Sequence, residues 1–140
     1  MKLAINSDTR RVLSWAGEAI TGLTMTRRDV FPVELKFIQG VGYLELPEGA
    51  TGQLALKQVG QWSGVIRASG GDWVKTGEGR EAVYTFLLSL DTPELNALFA
   101  QEPDSVALAL EVTWSYPLGS LQARETATAV PVTVSNDYIR

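Results

Sequence analysis

The stretch SVALALEVTWSY, residues 105–116, alternates between apolar and other side chains along its whole length. Period-two alternation is typical of a β-strand with one buried face, because successive side chains of a strand point to opposite sides. It predicts a long strand whose inner face consists of Val106, Leu108, Leu110, Val112 and Trp114. Such a face has to be covered, and we therefore expect a second sheet packed against it.

Four further stretches repeat this pattern: VFPVELKFI (30–38), QLALKQV (53–59), AVYTFLLSL (82–90) and ATAVPVTVSND (127–137). Their expected inner residues are Phe31, Val33, Leu35 and Phe37, then Leu54 and Leu56, then Tyr84, Phe86, Leu88 and Leu90, and finally Val130, Val132 and Val134. Glycine and proline pairs between the stretches indicate turns. The sequence thus predicts an all-β fold, an antiparallel two-sheet β-sandwich in a single domain, 1–140.

Two local signals refine this prediction. Pro32 cannot donate a hydrogen bond to a ladder, which places it near the start of its strand or on an edge. In LDTPELNALFAQEP, residues 90–103, Thr92 is a suitable N-cap and Pro93 suits the first helical position, with apolar side chains following at helical spacing. We expect one short connecting helix at about 92–100, which closes one end of the sandwich and ends before Pro103.

Composition narrows the classes of function. The net charge is −4, and the chain contains neither cysteine nor histidine. Binding nucleic acid through its phosphates depends on basic clusters, so an acidic chain argues against a nucleic-acid partner. The two missing residue types exclude a Ser-His-Asp or Cys-His arrangement and the usual zinc ligands. We therefore expect no metal, no cofactor and no enzymatic activity.

Membrane and export segments are not expected either. No apolar run approaches the roughly 20 residues that a membrane helix needs. The N-terminal MKLAINSDTRRVLSW lacks the apolar region and the small-residue cleavage site of a signal peptide. We expect a chain that is made and kept in water, with no membrane insertion.

Arg27, Arg28 and Asp29 stand directly before the stretch VFPVELKFI. Charged side chains at the start of a half-buried strand keep it solvated and discourage pairing between sheet edges, which is the structural interpretation of these residues. The functional interpretation is that the planar guanidinium groups engage a partner that carries carboxylates. Arg10 and Arg11 would join them only if the first two strands are neighbours.

The four tryptophans offer a second set of candidates. Trp114 lies on the inner face of its predicted strand, so we expect it in the core. Trp62 and Trp73 lie in or beside glycine-rich turns, where they serve either as core or loop anchors or as contacts to a partner or a sugar. Both alternatives stay open at this point.

Carboxylates alone would have to support catalysis. Glu78 and Glu81, or Asp72 with one of them, would form the acid and base pair of a glycosidase. They lie in a polar, glycine-rich stretch with no sign of burial, which argues against that role. Glu111 falls on the face opposite Leu110, where we expect it to face solvent or to form an ion pair at a subunit contact.

Five segments, in this order along the chain, resemble a family of small prophage-encoded proteins found near tail and tail-fibre genes: TRRDVFPVELKFI, LPEGATGQLALK, WVKTGEG, YTFLLSLDTPELNALF and TVSNDYIR. The resemblance covers essentially the whole chain, and the shared order is more specific than any one segment. In that family the strand generally begins with Arg-Gly-Asp followed by proline. Here Arg27 and Asp29 match, while Arg28 takes the place of the glycine.

The resemblance implies an N-terminal attachment or shaft-base domain, similar in layout to the β-sandwich at the start of siphophage upper baseplate proteins. NDYIR is similar to the segment that precedes a fibre-like or collagen-like extension in longer relatives, so a minimal version is expected here. The implied protein is synthesised in the bacterial host cytoplasm and belongs to the tail of the virion. It would form a homo-oligomer, a trimer by analogy with fibres, and would join a receptor-binding element to other phage tail proteins.

A carbohydrate-binding module is the competing hypothesis. It would recognise a host surface glycan through Trp62 and Trp73, since exposed tryptophans on β-sandwiches stack against sugar rings. In the attachment hypothesis the same two residues, with Arg27, Arg28 and Asp29, would instead contact a protein partner.

Overall fold

The structure is a computed structural model that describes residues 1–58 and 65–137. Within these ranges the chain forms twelve strands: β1 (Lys2–Asn6), β2 (Val12–Ser14), β3 (Leu23–Thr26), β4 (Val30–Gln39), β5 (Gly42–Leu44), β6 (Thr51–Gln58), β7 (Ile66–Ser69), β8 (Val74–Thr76), β9 (Val83–Ser89), β10 (Ser105–Leu118), β11 (Leu121–Thr126) and β12 (Val130–Ser135). One helix, α1 (Pro93–Asn96), continues into a 3-10 turn, Ala97–Phe99, and a second 3-10 turn spans Gly79–Glu81.

The strands form two sheets that pack against each other. The first sheet has the order β2-β1-β4-β9-β8, with β5 beside β4, and the second has the order β3-β12-β10-β6-β7, with β11 beside β10. This confirms the predicted all-β sandwich. Most neighbours are antiparallel, but β1 pairs with β4 and β3 pairs with β12 in parallel. A parallel pair needs a crossover connection. The chain between β1 and β4 provides one, since it forms β2 in the first sheet and then β3 in the second sheet before it returns.

The core lies between the sheets and consists of the residues that alternation selects. Val33, Leu35 and Phe37 of β4 are fully buried, and the predicted inner side chains of the other four stretches are buried as well, except Val106. Val106 and Phe31 are half-buried at the margin of the core. Trp114 is fully buried on β10, as expected. Its indole Nε1 donates to Glu125 Oε2 on β11 at 3.0 Å, which gives the buried N–H group a partner.

Pro32 lies near the start of β4, as predicted. The neighbouring strand β1 begins its pairing only at Glu34, so no ladder bond is lost at Pro32 on that side. The Pro32 carbonyl accepts a hydrogen bond from the Met1 ammonium at 3.0 Å.

The short helix is confirmed. The Thr92 hydroxyl accepts from the Leu95 amide at 3.1 Å, and Pro93 occupies the first turn. Leu95 and Phe99 point into the core. The Arg67 guanidinium of β7 donates to the Glu94 carbonyl at 2.9 Å. The helix therefore closes one end of the sandwich, and the chain leaves it before Pro103, as expected.

Candidate interaction surfaces

The turn between β3 and β4 brings Arg27, Arg28 and Asp29 together, but each does something different. Arg27 Nε donates to Asn96 Oδ1 at 3.0 Å, and its Nη1 donates to Asn136 Oδ1 at 3.1 Å. Its guanidinium also lies 4.9 Å from the centre of the Phe99 ring. Arg27 thus ties the turn to α1 and to the end of β12.

Arg28 and Asp29 are exposed. Arg28 has a φ of 72°, a left-handed conformation that favours glycine, at the position where the resembled family has glycine. Its Nη1 lies 3.4 Å from Asp137 Oδ1. The Asp29 backbone closes the turn through hydrogen bonds to Thr26 and Leu90. Both side chains can be reached by a partner, and their partner-binding role stays a prediction.

Arg10 does not join this turn. It lies after β1, and its Nη2 forms an ion pair with Glu125 Oε1 at 2.9 Å. Glu111 also has a partner within the chain, since the Lys57 ammonium of the neighbouring strand lies 3.5 Å from it. The Glu111 carboxylate therefore has an ion-pair partner within the described residues and does not require a subunit contact.

Trp73 is a half-buried loop anchor where the chain crosses from one sheet to the other. Its ring centre lies 4.6 Å from that of Tyr84 and 5.6 Å from that of Phe86, and its Nε1 donates to the Ala50 carbonyl at 3.3 Å. It also packs so closely on Gly52 that a Cβ there would lie 2.3 Å from the ring. Trp62 lies outside the described residues. The partner-binding role of both tryptophans stays a prediction.

A polar pocket of about 250 Å³ lies on the outer face of the second sheet. Thr51, Ser115 and Arg124 stand side by side on three strands, and Gln53 and Thr113 form the next row. Asp72 lines the same pocket. The side chains of Arg124 and Asp72 have no hydrogen-bond or ion-pair partner among residues 1–58 and 65–137. Alternation alone did not identify this site, because its residues come from four separate segments.

The outer face of the first sheet is covered in one half only. Trp15 lies over this half. The Lys36 ammonium lies 4.6 Å from the centre of the Trp15 ring and 4.5 Å from the centre of the Tyr43 ring. The Tyr43 hydroxyl donates to the Trp15 carbonyl at 2.9 Å. Ala4, although on the outward side of β1, is consequently buried. Sequence reasoning missed this cluster because Trp15 lies outside any alternating stretch.

The other half of that face is open and aliphatic. Pro32 of β4 stands directly opposite Leu87 of β9, and Val30 and Val74 flank them on either side. The side chains of Val30, Val74 and Leu87 are 55%, 64% and 63% exposed. We call Val30, Pro32, Val74 and Leu87 the outer patch. Strict alternation places all of them on the outward side of their strands.

A groove of about 350 Å³ opens between the sheets at the end opposite α1. Leu44, Leu46, Pro47 and Tyr116 line it, together with Asp8, Glu45 and Glu125. The hydrogen bond from Lys75, and next the one from the Gly79 amide, lower the pKa of the Glu45 carboxyl. Burial raises the pKa of the Tyr84 hydroxyl, which accepts from the Leu46 amide at 2.9 Å behind the groove. We call this site the end groove.

The carboxylates considered for catalysis are exposed. Glu78 directly precedes the 3-10 turn before β9, Glu81 is the last residue of that turn, and Asp72 lies in the polar pocket. No group of three acidic side chains that could hold a metal ion occurs in the described part of the chain. None of the helices described there is long and apolar enough to cross a membrane.

Similarity to known proteins is found among solved structures. No family model matches the chain, and no curated protein matches it. Among solved structures, the N-terminal domain of phage TP901-1 ORF48 is similar, with 9% sequence identity and a TM-score of 0.49 over 96% of each chain.

Proposed function

We propose that this chain is a non-enzymatic structural protein of a phage or prophage tail, a domain that associates with copies of itself and attaches a receptor-binding element. Five segments resemble the prophage family in the same order along the chain, and this supports a place in a phage or prophage tail. In that setting the protein is a virion component of the tail, and other tail proteins are its partners. Arg28 and Asp29, which are exposed, and Trp62 and Trp73 are proposed as partner contacts, with Arg27 holding the turn that presents the first two.

The outer patch is the observation that carries the proposal. Three neighbouring strands of one sheet place four aliphatic side chains side by side in solvent, where a soluble monomer usually has polar residues. A contiguous patch of this kind with polar neighbours is typical of a protein interface. We propose that copies of the chain bury the outer patch against one another, and that the assembly is a trimer.

Replacing Leu87 with glutamate is expected to dissociate the assembly. The substitution buries an unpaired carboxylate at the centre of the patch, and we expect the dissociation constant to rise about 30-fold or more, the change for a contact worth about 2 kcal/mol. The measurement is absolute mass by light scattering coupled to size exclusion, across a range of concentrations. The wild type should give the mass of three chains and Leu87→Glu that of one chain.

Thr133→Glu is the matched control, since Thr133 is exposed on the outer face of the other sheet. It should leave the trimer intact, and both variants should melt within a few degrees of the wild type. A wild type that is monomeric at every concentration, or a Leu87→Glu variant with the mass of three chains, would show that the outer patch does not mediate self-association.

The polar pocket supports a second candidate, recognition of a host glycan. Hydroxyl, amide, guanidinium and carboxylate groups without mutual ion pairs surround a concave space on the outer face of the second sheet. Such groups match the hydroxyls of a sugar, and Arg124 would add affinity for an acidic one. In this candidate function the side chains of the pocket contact the sugar, because much of the Trp73 ring is packed against the core and leaves less surface for stacking.

Glycan binding has a direct test in isothermal titration with neutral and sialylated oligosaccharides. Arg124→Ala and Asp72→Ala are expected to weaken binding about tenfold each, because each removes a charged hydrogen-bonding group worth about 1.4 kcal/mol. Leu87→Glu serves as the control and should bind sugar like the wild type. Absence of binding at millimolar sugar would exclude the pocket as a glycan site and favour the attachment function.

A further inference from the structure

The hairpin formed by β10 and β11 extends past the end of the sandwich. The neighbouring strand β6 pairs with β10 only as far as Ser115, whereas β10 continues to Leu118. Leu118 stands directly opposite Leu121 across the turn, and these side chains are 61% and 72% exposed. Two leucines at a hairpin tip are therefore held in solvent.

One edge of this hairpin is open. Gly119 and Ser120 form a two-residue turn, and the φ of Gly119 is 64°, as the tight turns of hairpins require. The pair next to a two-residue turn is hydrogen-bonded, so Leu121 and Ala123 direct their amides towards β10. The amides of Gln122, Arg124 and Thr126 then point away from it. Within the described ranges β10 is the only strand that pairs with β11.

The inner side of the hairpin is apolar up to its tip. Trp114 points into the core, so Tyr116 and Leu118 lie on the same side of β10, opposite Ala123 and Leu121 of β11. We call Tyr116, Leu118, Leu121 and Ala123 the hairpin shelf. It is continuous with the apolar lining of the end groove, because Tyr116 belongs to both.

The acidic side chains around the end groove favour a partner that carries positive charge. Asp8, Glu45 and Glu125 line the groove, and none of its lining residues is a lysine or an arginine. Glu125 and Glu45 are paired with Arg10 and Lys75. The Asp8 carboxylate has no cation within ion-pair distance in the described chain and accepts from the Gly40 amide at 3.1 Å. A cationic side chain of a partner would find a matching charge there.

The described residues that border the two gaps in the structure lie at the opposite end of the molecule. Gln58, the last residue before the first gap, pairs with Leu108, and Asn136, near the C-terminal gap, donates to Asp104. Ten residues of extended strand, roughly 33 Å, separate Leu108 from Leu118. The tip of the hairpin thus lies far from Gln58 and Asn136.

From these observations we infer that the open edge of β11 and the hairpin shelf bind an extended segment of another protein by strand addition. The segment pairs with the amides of Gln122, Arg124 and Thr126. It places alternate apolar side chains on the shelf and a lysine or arginine towards Asp8. This inference deepens the proposed function by naming the surface that holds a tail partner. It depends on that function only for the identity of the partner.

The test is an NMR titration of the full, ¹⁵N-labelled chain with the peptide acetyl-Lys-Val-Thr-Val-Thr-Val-Lys-amide. We expect the amide signals of Gln122, Arg124 and Thr126 to shift and their hydrogen exchange to slow about tenfold, because they gain partners. The amides of Leu121 and Ala123, already bonded to β10, should slow much less. The same peptide with glutamate in place of lysine should bind about fivefold more weakly at low salt.

Two variants separate the shelf from the edge. Leu118→Ser combined with Leu121→Ser removes the apolar contacts and should weaken binding about tenfold or more. Arg124→Pro removes one outward amide and keeps the bonds to β10, and Gln122→Pro does the same should the first variant fail to fold. Leu87→Glu is the control: it disrupts only the outer patch and should bind the peptide normally, so failure of self-association and failure of strand addition are distinguishable. Shifts confined to other regions, or binding that neither the serine pair nor the proline variants weaken, would overturn the inference.

Discussion

Replacing Gly52 with alanine is expected to destabilise the protein by about 2–3 kcal/mol, as overpacking of a filled core does. The backbone at Gly52 is not in the left-handed region, so the loss has one cause. The added Cβ would lie 2.3 Å from Cζ3 and 2.4 Å from Cε3 of Trp73. The indole cannot retreat, since Tyr84 and Phe86 pack against it on the other sheet.

A double-mutant cycle with Trp73→Ala tests this explanation. Trp73→Ala alone should cost about 3 kcal/mol, near the lower end for tryptophan because the ring is half-buried. In that background Gly52→Ala should cost almost nothing, which corresponds to a coupling of about 2 kcal/mol between the two positions. Urea unfolding followed by far-ultraviolet circular dichroism gives all four free energies.

Gly42→Ala is the matched control. Gly42 also lies in a strand, has no positive φ, and an added Cβ meets nothing within 4 Å. We expect a change of less than about 0.5 kcal/mol there. Equal costs of Gly52→Ala with and without the Trp73 side chain would refute close packing of the ring on Gly52. The interpretation of Trp73 as a core or loop anchor would then be wrong.

Arg27→Ala is the second substitution with a large expected effect, about 2–3 kcal/mol of stability. Hydrogen bonds from a charged group contribute more than neutral ones, and Arg27 donates two. Its removal also leaves Oδ1 of the buried Asn136 without that donor. Arg27→Lys should recover less than half of the loss, because one ammonium cannot replace a planar fork that reaches two amides.

Arg28→Gly is the control for Arg27. The glycine relieves the left-handed backbone but gives up an exposed ion pair with Asp137 and adds freedom to the unfolded chain. These effects oppose one another, so we expect a net change below about 1 kcal/mol by the same urea titration. If Arg27→Ala is as mild as Arg28→Gly, the tie between the turn, α1 and β12 is not important for stability, and Arg27 would be free for a partner.

Five of the twelve strands in the described ranges follow from the alternation of their sequences, and the helix follows from its cap. Val33, Leu35 and Phe37 illustrate why this works: in a strand with one buried face, every second residue is under the same constraint. The seven remaining strands have only three to six residues. A three-residue strand such as β2 or β8 places one or two side chains on each face, too few to show a period.

The candidate surfaces were only partly predictable. Arg27–Asp29 was recognised as a group, but its contacts with Asn96 and Asn136 join residues 69 and 109 positions apart and depend on how the helix docks. Residues of the outer patch could be assigned to an outward face one strand at a time. That they are neighbours is decided by the strand order, which alternation does not contain.

The sequence alone determined the inner faces of the long strands, the capped helix and the absence of thiol and imidazole chemistry, because each depends on residue identity or on spacing over a few positions. Tertiary structure decided the parallel pairs β1–β4 and β3–β12, the packing of the Trp73 ring on Gly52, and the open edge of β11. These depend on which strands meet and where one sheet ends before the other. They are set by packing between distant segments, where burial outweighs local preference.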